Sequence, residues 1–210
     1  MVELDETAIR IALERALGRS LDLALAREPL AESELTRGEL ATLSTLASPR
    51  RREEWLTGRR ALKRVLTEDR DTSLVRMPDP EVTLAHSRGW AIAVAARGCA
   101  GIGVDLQFEP GPRPRAEKFF LTAPERAWLS ARPDGHQQKE RLRLWTLKEA
   151  LLKSDPDNAG RTYGQYALGD PSRSQGREGP LSWASIEVKD GWVSLVLRDT
   201  SAGTGVNPRG

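Results

Sequence analysis

Sulfur and imidazole are scarce in this chain: one cysteine, Cys99, and two histidines among 210 residues. A lone thiol forms no internal disulfide, and one thiol with two imidazoles falls short of the ligand set of a structural zinc site. Any metal would therefore be a hard cation held by oxygen, magnesium before others. No apolar run approaches the roughly 20 residues of a membrane helix, and no basic-plus-apolar segment opens the chain. The expectation is a protein of the reducing cytoplasm without membrane contact. Aromatics are only 5% of the residues, and six of them are tryptophan, so tryptophans should mark anchoring positions. A formal net charge of +2 is too small to imply nucleic-acid binding, although a sequence pI near 8.9 leaves room for a local anion site.

The patterning alternates helical and extended signals. Residues 5–17 carry Ile9, Leu13, Ala16 and Leu17 at helical spacing, and residues 20–27 alternate Leu21, Leu23 and Leu25 with Asp22, Ala24 and Ala26 in the manner of a strand. Thr36 with Glu39, and Thr122 with Glu125, are capping boxes that open helices to about Leu46 and Ala131. Ser48-Pro49 opens a third, through about residue 66. Two strands, 82–87 and 89–96, should turn at Arg88-Gly89 with His86 and Ser87 beside the turn. In Gly101-Ile102-Gly103-Val104-Asp105-Leu106-Gln107, period two sends Ile102, Val104 and Leu106 to the core, leaving two glycines beside Asp105 and Gln107 on a face open to a ligand. Residues 132–138 are polar and turn-rich, 155–179 read mostly as loop, and strands at 182–189 and 192–198 should turn at Asp190-Gly191. The tail, 200–210, is expected to be disordered.

Two helices concentrate the chemistry. In residues 142–153, helical spacing puts Trp145, Lys148, Glu149, Leu152 and Lys153 on one face. A plain alternative is an i,i+4 ion pair of Glu149 with Lys153, worth about 0.2–0.5 kcal/mol. The helix from Pro49 carries Arg50, Arg51, Arg52, Arg59, Arg60, Lys63 and Arg64, which is either a solvated basic face or a phosphate site. A nucleic-acid contact is disfavoured, because no aromatic platform is interleaved with these arginines.

Laid over each other at Trp55 and Trp145, the two helices run in parallel, and each is followed by a Gly-Trp strand, at Gly89-Trp90 and Gly191-Trp192. Two similar halves explain this. A cleft between them would be cationic on one wall and acidic on the other, suited to a phosphate-bearing ligand bound with a metal.

Thr83-Leu84-Ala85-His86-Ser87, Gly103-Val104-Asp105-Leu106-Gln107, Phe119-Phe120 with Glu125, and Trp145-Thr146-Leu147-Lys148-Glu149-Ala150 with Lys153 follow in the order and spacing of the Sfp-type 4′-phosphopantetheinyl transferases, which this chain resembles. The stretches Ser48-Pro49-Arg50-Arg51 and Trp55-Leu56-Thr57-Gly58-Arg59 are similar to that family's N-terminal basic motif. The resemblance implies an α/β (α+β) pseudo-twofold protein of two halves, 1–102 and 103–199, each with a small antiparallel sheet and packed helices, and coenzyme A in the cleft between. It implies transfer of 4′-phosphopantetheine from coenzyme A to a serine of an apo acyl, peptidyl or aryl carrier protein, such as those of polyketide or nonribosomal peptide biosynthesis, with release of 3′,5′-ADP. Carried over by position, Asp105, Gln107 and Glu149 would hold magnesium. Glu149 would take the serine proton, Lys153 would serve the leaving phosphate, and Arg51, Arg59, His86, Lys148 and Lys153 would contact coenzyme A. The alternative is a non-catalytic relative that binds coenzyme A or a carrier protein. Position 107 is Gln where the family commonly has Glu, and Ser154-Asp155-Pro156-Asp157-Asn158 stands where it usually has a short Gly-containing turn. Two pseudo-equivalent halves in one chain point to a monomer.

Overall fold

A computed structural model describes residues 4–66 and 72–200. In chain order the elements are α1 (Glu6–Leu17), β1 (Asp22–Ala26), α2 (Arg37–Ser44), α3 (Pro49–Val65), β2 (Val82–Ser87), β3 (Trp90–Ala95), β4 (Cys99–Phe108), α4 (Glu117–Phe120), α5 (Ala123–Ser130), α6 (Asp134–Lys153), β5 (Gln175–Glu178), β6 (Leu181–Val188) and β7 (Gly191–Asp199). The strands form two antiparallel sheets, β1-β3-β2 and β4-β7-β6-β5. This is the mixed α/β, two-halved arrangement expected.

The two sheets put one face each into a common core. Ile9 and Leu13 of α1 join Leu23 and Leu25 of β1, Ile92 and Val94 of β3, Ile102, Val104 and Leu106 of β4, and Val193, Leu195 and Leu197 of β7. On its other face the first sheet carries α3, with Ala24, Ala91 and Ala93 against Ala61 and Leu62. The second carries α6, with Val196 and Trp183 against Leu147, Ala150 and Leu151. Both faces of β1 are therefore buried, small residues toward the helix and large ones toward the shared core. Where the sheets meet, the Val104 N–H donates to Thr83 Oγ1 at 3.1 Å, so β2 and β4 are tied side by side.

The structure moves several expected features. The second sheet begins at Cys99, so the chain crosses between sheets at 96–98, ahead of residue 102. Helix α6 begins at Asp134, inside the stretch read as turn-rich; its polar first turns are fastened by Lys139 to Glu187 and Arg141 to Glu117. The second hairpin turns at Lys189-Asp190, since Val188 already pairs with Gly191. Strand β5 lies in the supposed loop, paired to β6. Both capping boxes form as read. The tail from 201 lies outside the described residues, among which no helix is long and apolar enough to cross a membrane.

Candidate active site

A cleft of about 780 Å³ opens between the halves, within the usual range of ligand sites. Helix α3 supplies Arg50, Glu53, Glu54 and Thr57, successive residues of one helical face. The β2–β3 hairpin supplies His86 to Trp90. Its turn residues Arg88 (φ 48°) and Gly89 (φ 78°) are both left-handed, the two-residue geometry that matches strand twist, and this sets Arg88 at the mouth. The end of β4 supplies Gln107 and Phe108, and α6 supplies Trp145.

His86 approaches α3 closely because residue 58 has no side chain: a Cβ there would sit 2.4 Å from His86 Nε2. The ring keeps an exposed edge, but its walls strip it of water, and with the nearby Lys153 charge this holds its pKa below the ordinary value. The neutral imidazole is thereby favoured.

One helical turn from Trp145 along α6, and two residues from Gln107 along β4, lies a carboxylate and lysine cluster. Asp105 is 3% exposed. Its Oδ1 accepts from Lys153 Nζ at 2.7 Å, and Lys153 also donates to the Val104 carbonyl at 3.2 Å. Its Oδ2 is buried with no hydrogen-bond partner. Burial pushes the Asp105 carboxyl up to about 6, with the Glu149 charge adding to the rise and Lys153 opposing it. Glu149 is half-buried; its Oε1 accepts from the Tyr163 hydroxyl at 2.8 Å. Burial and that carboxylate push the Tyr163 phenol above its ordinary value, so it acts as a donor. Gln107 Oε1 accepts from Ser87 at 3.3 Å, which joins the hairpin to β4 at the cleft.

The glycines of β4 have a different task from the one read in the sequence. A Cβ at Gly103 would lie 2.0 Å from the Ala150 carbonyl oxygen and 2.6 Å from the Ser154 nitrogen; one at Gly101 would lie 2.0 Å from the Ser154 carbonyl oxygen. They clear the face for the end of α6, not for a ligand. That close approach brings Lys153 within reach of Asp105.

Of the expected site residues, His86 and Gln107 line the cleft, Asp105, Glu149 and Lys153 lie beside it, and three others are apart from both. Lys148 is fully buried: it donates to Glu125 Oε1 at 2.7 Å and to the Tyr166 carbonyl. One residue along a helix is a rotation of about 100°, enough to separate it from Glu149. Arg59 lies 4.6 Å over the Trp55 ring and donates to the Thr72 carbonyl, tying α3 to the turn before β2. Arg51 is exposed outside the cleft lining, and its backbone N–H is capped by Ser48. The basic density of α3 is met largely by acids of this chain: Arg52 by Glu32, Arg60 by Glu34, Lys63 by Glu39, Arg64 by Glu6. What faces the cleft is Arg50, 2.9 Å from Glu54. Arg50 was read only as one of the basic residues of its helix, and Arg88 and Tyr163 were not read as site residues. Arg88 had a signal in its turn, whereas Tyr163 had none.

The donors around Asp105 are all oxygen. Among the described residues no three His, Cys, Asp or Glu side chains gather in a metal-ligating group. Two carboxylates and an amide, one carboxylate oxygen orphaned, instead fit a cation that takes its remaining ligands from water and a phosphate-bearing ligand, as magnesium does.

An interfacial cleft lined by Arg50, Arg88 and His86 together with Glu53 and Glu54, beside a cluster of two carboxylates and a lysine, has side chains suited to a phosphorylated ligand. Residues 101–192 match the model of the 4′-phosphopantetheinyl transferase superfamily (ACPS), and the match takes in Asp105, Gln107, Glu149 and Lys153. It supports phosphopantetheine transfer in general terms. No curated protein matches the chain.

Proposed function

We propose that this protein transfers 4′-phosphopantetheine from coenzyme A to a serine of an apo carrier protein, of acyl, peptidyl or aryl type, with magnesium held by Asp105, Glu149 and Gln107. The observation that carries the reading is the orphaned, buried Asp105 Oδ2 beside Glu149 and Lys153, which adjoins, through Gln107 and Trp145, a cleft lined by His86, Arg50 and Arg88. Magnesium would neutralise the pyrophosphate and polarise the phosphorus under attack. His86, Arg50 and Arg88 bind the phosphates of coenzyme A. Glu149 takes the proton of the incoming serine hydroxyl as its oxygen bonds to the phosphorus bearing pantetheine. The bond from that phosphorus to the bridging oxygen of the 3′,5′-ADP moiety breaks, and Lys153 stabilises the charge on the departing phosphate. Chemistry of this kind depends on positioning and charge more than on a covalent intermediate. The chain acts as a cytoplasmic monomer in this reading.

The test is intact-mass spectrometry of a panel of apo carrier proteins incubated with the protein, coenzyme A and magnesium. The expected result is a gain of the phosphopantetheinyl mass on at least one carrier, lost in Asp105→Ala and Glu149→Ala. Coenzyme A binding without transfer to any carrier would replace this reading with that of a non-catalytic relative.

A further inference from the structure

The segment that follows α6 is mostly loop, as its composition describes, but a loop tied down along its length. Asp155 Oδ1 accepts from the Asp157 N–H at 3.0 Å, and Asp155 Oδ2 accepts from the Tyr166 hydroxyl at 2.8 Å. Asn158 Nδ2 donates to the Leu152 carbonyl at 3.1 Å. The buried Lys148 holds the Tyr166 carbonyl, and Glu125 Oε1 accepts from the Leu168 N–H at 2.8 Å. Further on, Arg143, 1% exposed, holds the carbonyls of Pro171 and Arg173. Between these ties a one-turn 3-10 helix, Tyr163–Gln165, is closed by the Thr162 N–H donating to Gln165 Oε1 at 2.7 Å. The Tyr163 ring packs 5.1 Å from Trp145, whose other neighbour, Phe120, lies edge-on at the same 5.1 Å. From this seat the hydroxyl reaches Glu149 Oε1 at 2.8 Å.

We propose that Tyr163 is a positioning residue for Glu149, which holds the carboxylate away from Lys153 and turned toward the reacting groups. Glu149 and Lys153 stand at i and i+4, in the order that favours a helix ion pair, yet Lys153 is on Asp105 and Glu149 is on Tyr163. The hydroxyl occupies Oε1, leaving Oε2 for the serine proton or the metal. Without it, Glu149 is released to compete with Asp105 for Lys153, and the base and the leaving-group cation partly neutralise each other. The structured 155–168 segment, tied through Lys148 and Glu125, therefore works as a strap whose product is one hydrogen bond. Groups that orient a ligating carboxylate typically change affinity or activity about 10- to 100-fold when removed. The inference rests on the role given to Glu149 above.

The test compares Tyr163→Phe with Glu149→Gln in the full chain. Phenylalanine keeps the ring against Trp145, so the melting temperature should stay within a few degrees of the parent. Two readouts are followed: the kcat and coenzyme A KM of carrier modification, and the affinity for Mn²⁺ in the presence of coenzyme A, by electron paramagnetic resonance. Expected for Tyr163→Phe are a fall of about 10- to 100-fold in kcat, with KM within about twofold, and a Mn²⁺ affinity weakened about tenfold. A purely structural tyrosine would move neither value, so parental kcat and Mn²⁺ affinity in Tyr163→Phe, with both lost in Glu149→Gln, would overturn the inference alone. Parental values in Glu149→Gln would overturn the role of Glu149, and the inference with it. Mn²⁺ binding decides the matter even if no carrier in the panel is a substrate.

Discussion

Lys153 Nζ lies 2.7 Å from Asp105 Oδ1, on a strand 48 residues earlier, and not on Glu149 one turn back in its own helix. The pair is asymmetric: the Lys153 side chain is 30% exposed and Asp105 is nearly closed off. The lysine can turn outward to a ligand while the carboxylate stays fixed. Asp105 alone thus carries the burial cost, and its ionised form is maintained against the fold's preference.

That cost gives a signed pH dependence. A carboxyl raised in the folded state from 3.8 to about 6 binds more protons folded than unfolded between those values. Stability contributed by the protonated form is fully present below pH 3.8 and is lost as pH rises through 6, by about 3 kcal/mol in all. In chelator-containing buffer, Asp105→Asn should melt several degrees above the parent at pH 7.5, with the gain vanishing near pH 4, while transfer activity is abolished. Thermal denaturation across pH checks this, and equal gains at both pH values would contradict it.

Lys148 should behave as a core residue. Replacing it with methionine leaves Glu125 buried beside no cation, a loss of about 3–5 kcal/mol, and loosens the strap at Tyr166. Urea denaturation should show that loss, whereas the coenzyme A KM of the folded protein should stay within about threefold. A large rise in KM without destabilisation would return Lys148 to the ligand site.

Gly58→Ala separates propensity from positioning. Alanine in a helix interior is worth about 1 kcal/mol over glycine, but here its Cβ meets the end of the His86 side chain at 2.4 Å and displaces the ring. The variant should keep or raise its melting temperature and bind coenzyme A about tenfold more weakly, about 1.4 kcal/mol, and His86→Ala should weaken binding to the same extent. Calorimetric titration with coenzyme A measures this, and unimpaired binding would detach His86 from the ligand.

Gly103→Ala has no such escape, since its Cβ meets the backbone of α6 at two points. The helix must lift from β4, at a cost above about 3 kcal/mol. Loss of soluble protein or a melting temperature lowered by about 10 °C is expected; a parental melting curve would argue against the close crossing.

Much of the fold was legible in the chain. The capping boxes at Thr36 and Thr122, the apolar spacing of α1 and the hairpin turn at Arg88-Gly89 are local signals, and local backbone chemistry is enough to act on them. The start of α6 was not legible, because residues 134–141 have no apolar stripe and owe their order to Glu117 and Glu187. Of the candidate site, Asp105, Gln107, Glu149, Lys153 and His86 are brought to one region. Arg51 and Arg59 are not, since which edge of α3 faces the cleft is set by how Ala61, Leu62 and Val65 seat on the alanines of the first sheet. Lys148 adjoins Glu149 in sequence, and only packing shows that it points into the core.

The sequence by itself determined the residue types at the site and the periodicities of the strands and helices, because these depend on neighbours a few residues away. The partner of each charge was decided by the tertiary structure alone. An ammonium or carboxylate pairs with whatever shares its desolvated surroundings, and those come from elements brought together across long separations: β4 under α6 by two glycines, His86 against α3 by a third, and Tyr163 onto Glu149 by a strap of polar residues with no periodicity.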